Sequence, residues 1–547
     1  VTIWPASLPR SLDYPALPAA AFLRGAASAF PDRAALRDGD ESLTYGELLR
    51  TAAKAAHGLR ANGIREGDVV ALHGPNGLWH PVGYYAILLA GGTVALLNPL
   101  QPAPALAAQL RETGAVAAIT HPSCAESLPD LDLVVTLPAT AVAPGLTAIG
   151  VGLPELARGR PSDPPEIRTG PDDTALLAYT GGTTGASKPV QVLHRNLVAN
   201  VLHMSCWRAG VLPEVDGSGI RFRELPDTAD FPVDLGRSVS VVTSPLYHQH
   251  ALVTLNFLVA CGVTAVIAGR FDPAGLLDLV ERYGATYTAT APTAYQAVLA
   301  VPDLVERDLT SVRAITSGAG PMDAATHAGL AAAFPNATVL EGYGLTEATC
   351  TVTFPPTTPD GLRKIGTVGV PGFDTEIEIR DLEDPSRCVP QGADGEVWVR
   401  GPQVTAGYLG RPDATAEQFP DGWLRTGDIG RLDEDGYLAI TGRAKDMLIY
   451  KGYNVYPREL EELLTGVAGV RQASVVGRPD PVAGELPVAF VVADPGAGLT
   501  AEALMAHVGE RVLPYKRIRE VVFTDRLPTS PAGKVLKTEL RSRLVGA

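Results

Sequence analysis

Apolar and polar positions alternate between two periods along the N-terminal part of the chain. In LTYGELL, Thr44 and Glu47 form a capping box. Leu48, Ala52, Ala55 and Leu59 then recur at helical spacing. Gly63 ends that helix, and VVALHG reads as a buried strand. YYAILLAGG followed by TVALLNP repeats the order helix, glycine, strand, and LAAQLRETG followed by AVAAITH repeats it again. This order predicts a layered α/β body with helices covering sheets. Ala251 to Ala268 is almost wholly apolar and approaches the length of about 18 residues that suits a membrane span. Asn256, Gly262 and two threonines interrupt it, so it reads as a buried helix ending at Cys261–Gly262, followed by the strand VTAVIA.

Two long stretches lack either period. Pro138 to Pro171 is rich in proline and glycine. Cys206 to Arg237 mixes glycines, prolines and charges and reads as a solvated insertion, a surface loop or lid. The C-terminal stretch changes texture: short strands (MLIY, ASVVG, PVAFVVA, EVVF) mix with helices starting near Pro457 and Thr500. It reads as a small α+β domain. The expected division is residues 1–444 for a large multi-subdomain α/β body and 445–547 for a small mobile domain, with the boundary in GRAKD, Gly442 to Asp446.

Composition narrows the partners. The chain has 547 residues, with 60 acidic and 45 basic side chains and a net charge of −15. That balance argues against a nucleic-acid partner, which wants a basic face. Cys124, Cys206, Cys261, Cys350 and Cys388 are widely spaced and form no CxxC pair, so neither a disulfide framework nor a zinc site is expected. VTIWPASLPRSLDYP holds no basic segment followed by an apolar run, which suggests no secretory leader and a cytoplasmic protein without a transmembrane segment.

YTGGTTGASKP, Tyr179 to Pro189, is the most informative segment. Its glycines permit a tight backbone that can wrap a phosphate and aim N–H groups at it. Thr180, Thr183 and Thr184 add hydroxyls, and Lys188 adds a positive charge. A Walker loop needs glycine and lysine adjacent, then Ser or Thr, then a helix. Here Gly185 and Lys188 are separated, Pro189 follows, and VQVL looks like strand. The loop therefore joins two strands, which excludes a conventional P-loop ATPase.

This loop resembles the phosphate loop of the ANL superfamily: acyl- and aryl-CoA synthetases, peptide-synthetase adenylation domains and firefly luciferase. The resemblance extends, in the family's order, through LTYGEL, PLYHQHAL, SGAGPM, EGYGLTEAT, GEVWVRGPQVTAGYLG, DGWLRTGDIG, GRAKDMLIYKGYNVYP and PTSPAGKVLK. It runs from about residue 20 to the end and looks nearest to the acyl/aryl-CoA ligase branch.

The resemblance implies ATP-dependent activation of a small-molecule carboxylic acid to an acyl-AMP, then transfer to coenzyme A through a domain rotation. Two anions must meet in the first step, so the site must neutralise charge and align the groups. By resemblance, Thr180, Gly181, Gly182, Thr183, Thr184, Gly185 and Lys188 hold the phosphates, and Gly318, Ala319, Gly320, Glu341, Gly342, Tyr343 and Gly344 line the nucleotide site, Tyr343 stacking on adenine. Thr346 contacts the α-phosphate. Glu347 is the Mg²⁺ ligand, a hard carboxylate suited to a cation that bridges phosphates. Asp428 binds the ribose hydroxyls, with Arg443 on ribose or phosphate. Lys534 is the adenylation lysine, bridging substrate carboxylate and α-phosphate. His248 seats the carboxylate. His250, Thr254, Ser317, Gly318, Thr349 and Cys350 line the acyl site. Lys445 matches the hinge, and Lys451 and Gly452 lie beside the pantetheine tunnel.

Three departures accompany the resemblance: Gly182 where many members have serine, Pro189 after the loop lysine, and a longer Cys206–Arg237 segment, which could shape the acyl entrance or serve an interface. An alternative acceptor is a carrier protein. Fatty acyl-AMP ligases of that kind carry an insertion after GYGLTE, whereas here Glu347 runs to Lys364-Ile365-Gly366 without a large insert, which favours coenzyme A. A non-catalytic nucleotide-binding scaffold is a third reading, opposed by intact Lys534, Glu347, Asp428 and Arg443.

Overall fold

The computed structural model describes residues 2–138, 150–179, 187–318, 320–451, 453–530 and 534–545. Of the sequence candidates, Thr180 to Gly185, Ala319 and Gly452 lie outside the described residues.

The helix–glycine–strand repeats build two seven-stranded sheets. The first runs in the order Val151–Gly152, Leu133–Thr136, Ala117–Thr120, Val69–His73, Thr93–Leu97, Thr174–Tyr179, Pro189–Leu193. Its neighbours are parallel except for the last pair. Tyr179 and Pro189 are register partners in that antiparallel pair, so the glycine–threonine segment connects two adjacent strands, as its sequence predicts. The second sheet runs Thr338–Glu341, Ala314–Ser317, Tyr287–Thr290, Val239–Val242, Thr264–Ile267, Ala34–Asp38, Glu41–Thr44 and is parallel but for its last strand.

The expected capping box is present: Glu47 N–H donates to Thr44 Oγ1 and Thr44 N–H to Glu47 Oε2. The helix it starts, Tyr45–Ala61, buries Leu48, Ala52, Ala55 and Leu59. Between the sheets lie helices apolar on nearly every side, including Trp79–Leu89 and Gln249–Ala260. The second is the buried helix read from Ala251 onward, and Thr264–Ile267 is its following strand. No helix among the described residues is long and apolar enough to cross a membrane. All five cysteines are free.

The reading of Cys206–Arg237 as a solvated insertion is corrected by the structure. Cys206 to Ala209 close the buried helix His194–Ala209, and a hairpin follows, Val211–Asp216 paired with Gly219–Glu224. Phe222 stacks on Phe22 at 6.4 Å, and Gly25 meets the backbone of Ile220 so closely that a built Cβ would lie 1.9 Å from its carbonyl oxygen. The segment thus packs on the first helix of the chain, Ala21–Ala29.

A four-stranded antiparallel sheet follows, Glu376–Arg380, Gly395–Arg400, Leu424–Leu432 and Leu438–Arg443. The C-terminal residues then form their own sheet, in which Gly484–Ala493 pairs with Leu448–Tyr450, Val470–Asp480 and Glu520–Phe523, with its own apolar core around Leu460, Val475 and Val491. Its helix Pro457–Thr465 leans on the preceding sheet, where Arg458 Nη1 donates to the carbonyl of Ile440.

Candidate active site

Asp428 and Arg443 are cross-strand partners on Leu424–Leu432 and Leu438–Arg443. The pairing sets Arg443 Nε 3.0 Å from Asp428 Oδ1. Tyr343 donates its hydroxyl to the other oxygen, Oδ2, at 2.7 Å. The Asp428 side chain is only 8% exposed, so these bonds hold a nearly buried carboxylate. Tyr343 belongs to a loop that doubles back on itself: Val352 N–H donates to Tyr343 O, and Gly344 bridges Thr351.

Glu347 sits on a single turn, Thr346–Ala348. Its Oε1 accepts the Tyr408 hydroxyl at 2.8 Å, and its carbonyl accepts Thr405 N–H. The same Tyr408 ring carries Lys188 Nζ 4.8 Å from its centroid, a cation–π contact. Tyr408 lies in GEVWVRGPQVTAGYLG, where nothing in the pattern of residues marks it for a role. It links the predicted metal ligand to the predicted phosphate lysine.

Lys534 reaches this group from the chain that follows the C-terminal sheet. Its loop is pinned by Ser530 N–H to Lys534 O at 2.7 Å. Burial lowers the Lys534 ammonium from its ordinary value, and Arg443 lowers it further, while Asp428 and Glu347 oppose them. The ammonium therefore shares one electrostatic environment with both carboxylates. His248 caps the helix Gln249–Ala260. Burial pushes its imidazole down to about 4, with Lys534 acting in the same direction, so it is neutral near pH 7. Its Nε2 is buried and has no partner among the described residues.

The acyl-side candidates also converge. His250 and Thr254, one helical turn apart, line a small cavity with Ser240, Ser244 and Ala289. Gly318 lies opposite: a Cβ there would stand 3.6 Å from His250 Nε2. Ser317 and Thr254 keep buried hydroxyls without partners among the described residues. Thr349 is buried at φ 63°, and its hydroxyl is committed to Gln403 O at 2.7 Å. Cys350 is buried beside it. Glu341 accepts Met322 N–H at 3.1 Å, and burial raises its carboxyl to about 7. Lys451 is not brought into the cluster: it occupies an exposed turn, its N–H bonded to Ala483 O. Lys445 lies exposed in the Ala444–Asp446 turn between the two C-terminal sheets.

The fold and this arrangement define an adenylate-forming ligase. Residues 23–409 match the AMP-binding enzyme family and residues 459–534 its C-terminal domain, and the chain belongs to that family, in the acyl-CoA synthetase branch. A feruloyl-CoA synthase from Amycolatopsis sp is 37% identical over 522 residues, covering 94% of this chain and 96% of that one. A rice 4-coumarate–CoA ligase 5 is 34% identical over 526 residues, covering 94% and 92%. ATP-bound MatB from Rhodopseudomonas palustris superposes with a TM-score of 0.83 at 29% identity, covering 96% of this chain and 99% of that one. The chain is an AMP-forming acid–thiol ligase that uses ATP and coenzyme A on a small carboxylic acid.

Proposed function

We propose that one acyl adenylate is made where Lys534, Asp428, Glu347 and His248 meet, and that each performs the role its motif implies. The carrying observation is that these four side chains come from four separate elements and that Lys534 feels three of the others. Asp428 can take the ribose hydroxyls while Arg443 and Tyr343 keep it oriented. Tyr343 then presents its ring to adenine. His248, neutral, can meet the substrate carboxylate without repelling Lys534. The ammonium of Lys534 bridges that carboxylate and the α-phosphate as negative charge accumulates between them.

The residues fit a magnesium ion. Glu347 is one carboxylate with one oxygen held by a neutral hydroxyl, and no cluster of three His, Cys, Asp or Glu stands nearby among the described residues. That suits a cation taking one protein carboxylate and filling its shell from phosphate and water. When bound, the ion neutralises phosphate charge; Thr346, Lys188 and Thr180–Gly185 would hold the phosphates themselves.

Thioester formation requires a second arrangement. With residues 1–444 as the body and 445–547 as the mobile unit, rotation about Lys445 would withdraw Lys534 and carry Lys451 and Gly452 to the pantetheine path. Use of coenzyme A and ATP supports the reading of a cytoplasmic enzyme. A carrier protein is the alternative acceptor. The test is product analysis by mass spectrometry with ferulate or 4-coumarate, ATP and either acceptor. Acyl-CoA, AMP and pyrophosphate support the proposal. ADP and phosphate, or a thioester on the carrier protein alone, overturn it.

A further inference from the structure

Among the described residues, one buried charged side chain beside the His250 helix has no counter-ion. Arg208, near the end of the His194–Ala209 helix, is 6% exposed. Its guanidinium lies 5.4 Å from the Phe257 ring centroid and 5.5 Å from that of Phe354. Its Nη1 is buried without a hydrogen-bond partner, and among the described residues it forms no ion pair. The aromatic faces offset part of the desolvation, but an uncompensated buried cation is costly to a fold. Its retention is explained most simply by an anionic or strongly accepting partner that arrives with a ligand.

Its position identifies the ligand. His250, Thr254, Phe257 and Cys261 form one stripe along the Gln249–Ala260 helix, at spacings of four, three and four. At one end of the stripe, His250 faces Gly318 and lines the cavity; further along, Phe257 carries Arg208. Phe257 lies about two helical turns beyond His250, counted from His248 at the start of the helix, so Arg208 on the Phe257 ring stands beyond His250 from the reacting end. The polar atoms between them, such as Thr254 Oγ1, lack partners as well.

We propose that the acid carries a second acidic oxygen, a phenol or a carboxyl group, at the end remote from the reacting carboxylate, and that Arg208 receives it. This rests on the acid-activating function proposed above. Matched pairs test it: 4-coumaric against cinnamic acid for a phenol, and adipic against hexanoic acid for a carboxyl. The readout is kcat/KM for pyrophosphate release. The wild-type enzyme should favour one oxygenated member by about 100-fold or more, because a site left with an unpaired polar group discriminates strongly. Arg208→Met should reduce that ratio to about threefold or less, with the plain acid gaining, while Arg208→Lys keeps a clear preference. Equal or reversed preference in both wild-type pairs overturns the proposal, as does an unchanged ratio in Arg208→Met. If that variant does not fold, the wild-type protein suffices: the oxygenated acyl sulfamoyl-adenosine should raise its Tm above the plain analogue, and equal shifts overturn the proposal. Pyrophosphate release with every acid tried, regardless of the distal group, overturns this inference but leaves the ligase function standing. Release with none removes both.

Discussion

Glu341 closes the strand Thr338–Glu341 and turns its carboxyl onto Met322 N–H. Burial raises it to about 7 from an ordinary 4.5. The folded state thus keeps a proton that the unfolded state releases near pH 4.5. Its contribution to stability is present at low pH and is lost as pH rises from about 4.5 to about 7. Glu341→Gln keeps an acceptor for Met322 and cannot ionise. Its Tm should gain on the wild type as pH rises from about 5 to about 7, then hold a constant difference. A difference that stays flat across that range would contradict a raised carboxyl. The motif EGYG made this position legible as part of the site, but not its proton, because the burial that raises it, and the Met322 N–H and Arg458 charge that oppose that rise, are set by the fold. Arg208 was hidden for a similar reason. A basic residue in the last turn of a helix reads as an ordinary partner of the helix dipole, and only the fold sets Phe257 and Phe354 around it.

At the scale of elements, local chemistry forecast local structure well. The Thr44–Glu47 cap, the helix–glycine–strand repeats and the strand–loop–strand placement of the glycine–threonine segment all follow from short-range rules. The Val211–Glu224 hairpin did not, although Asp216-Gly217 is a tight-turn signal. Pro213 and a run of charges break the alternation that would have flagged its strands, and its stability comes from Gly25 and Phe22 far away in sequence. The loop carrying Tyr343 and Glu347 depends on a similar close approach. A Cβ on Gly344 would fall 1.6 Å from Cys350 O, a backbone atom that cannot step aside. Gly344→Ala should therefore cost about 1–3 kcal/mol of stability through overpacking. It should also raise KM for ATP, because the loop that aims Tyr343 at Asp428 must open. Wild-type Tm with wild-type KM in that variant would show that the loop tolerates the change.

Across the whole molecule, six imidazoles are held neutral by burial. His73, His194, His248 and His250 fall to about 4, and His80 and His203 to about 3. His194 shows why: its Nδ1 accepts Ala19 N–H at 3.1 Å and cannot do so when protonated. Each group binds a proton more readily when unfolded, so its stabilisation is complete above about pH 6.5 and is lost as pH falls toward about 4. Glu341 opposes this with a single proton. Tm should drop steeply below about pH 6.5, with net proton uptake on unfolding. Proton release in that window would contradict the buried neutral set.

The same scale holds the central claim, that a lysine from beyond the C-terminal sheet completes a site built by the body of the chain. Separating the two half-reactions in Lys534→Ala tests it most directly. Acyl-AMP formation from acid and ATP should fall on the order of 100- to 1000-fold. Conversion of supplied acyl-AMP to acyl-CoA should proceed at close to the wild-type rate. Undiminished acyl-AMP formation in the variant would contradict the claim.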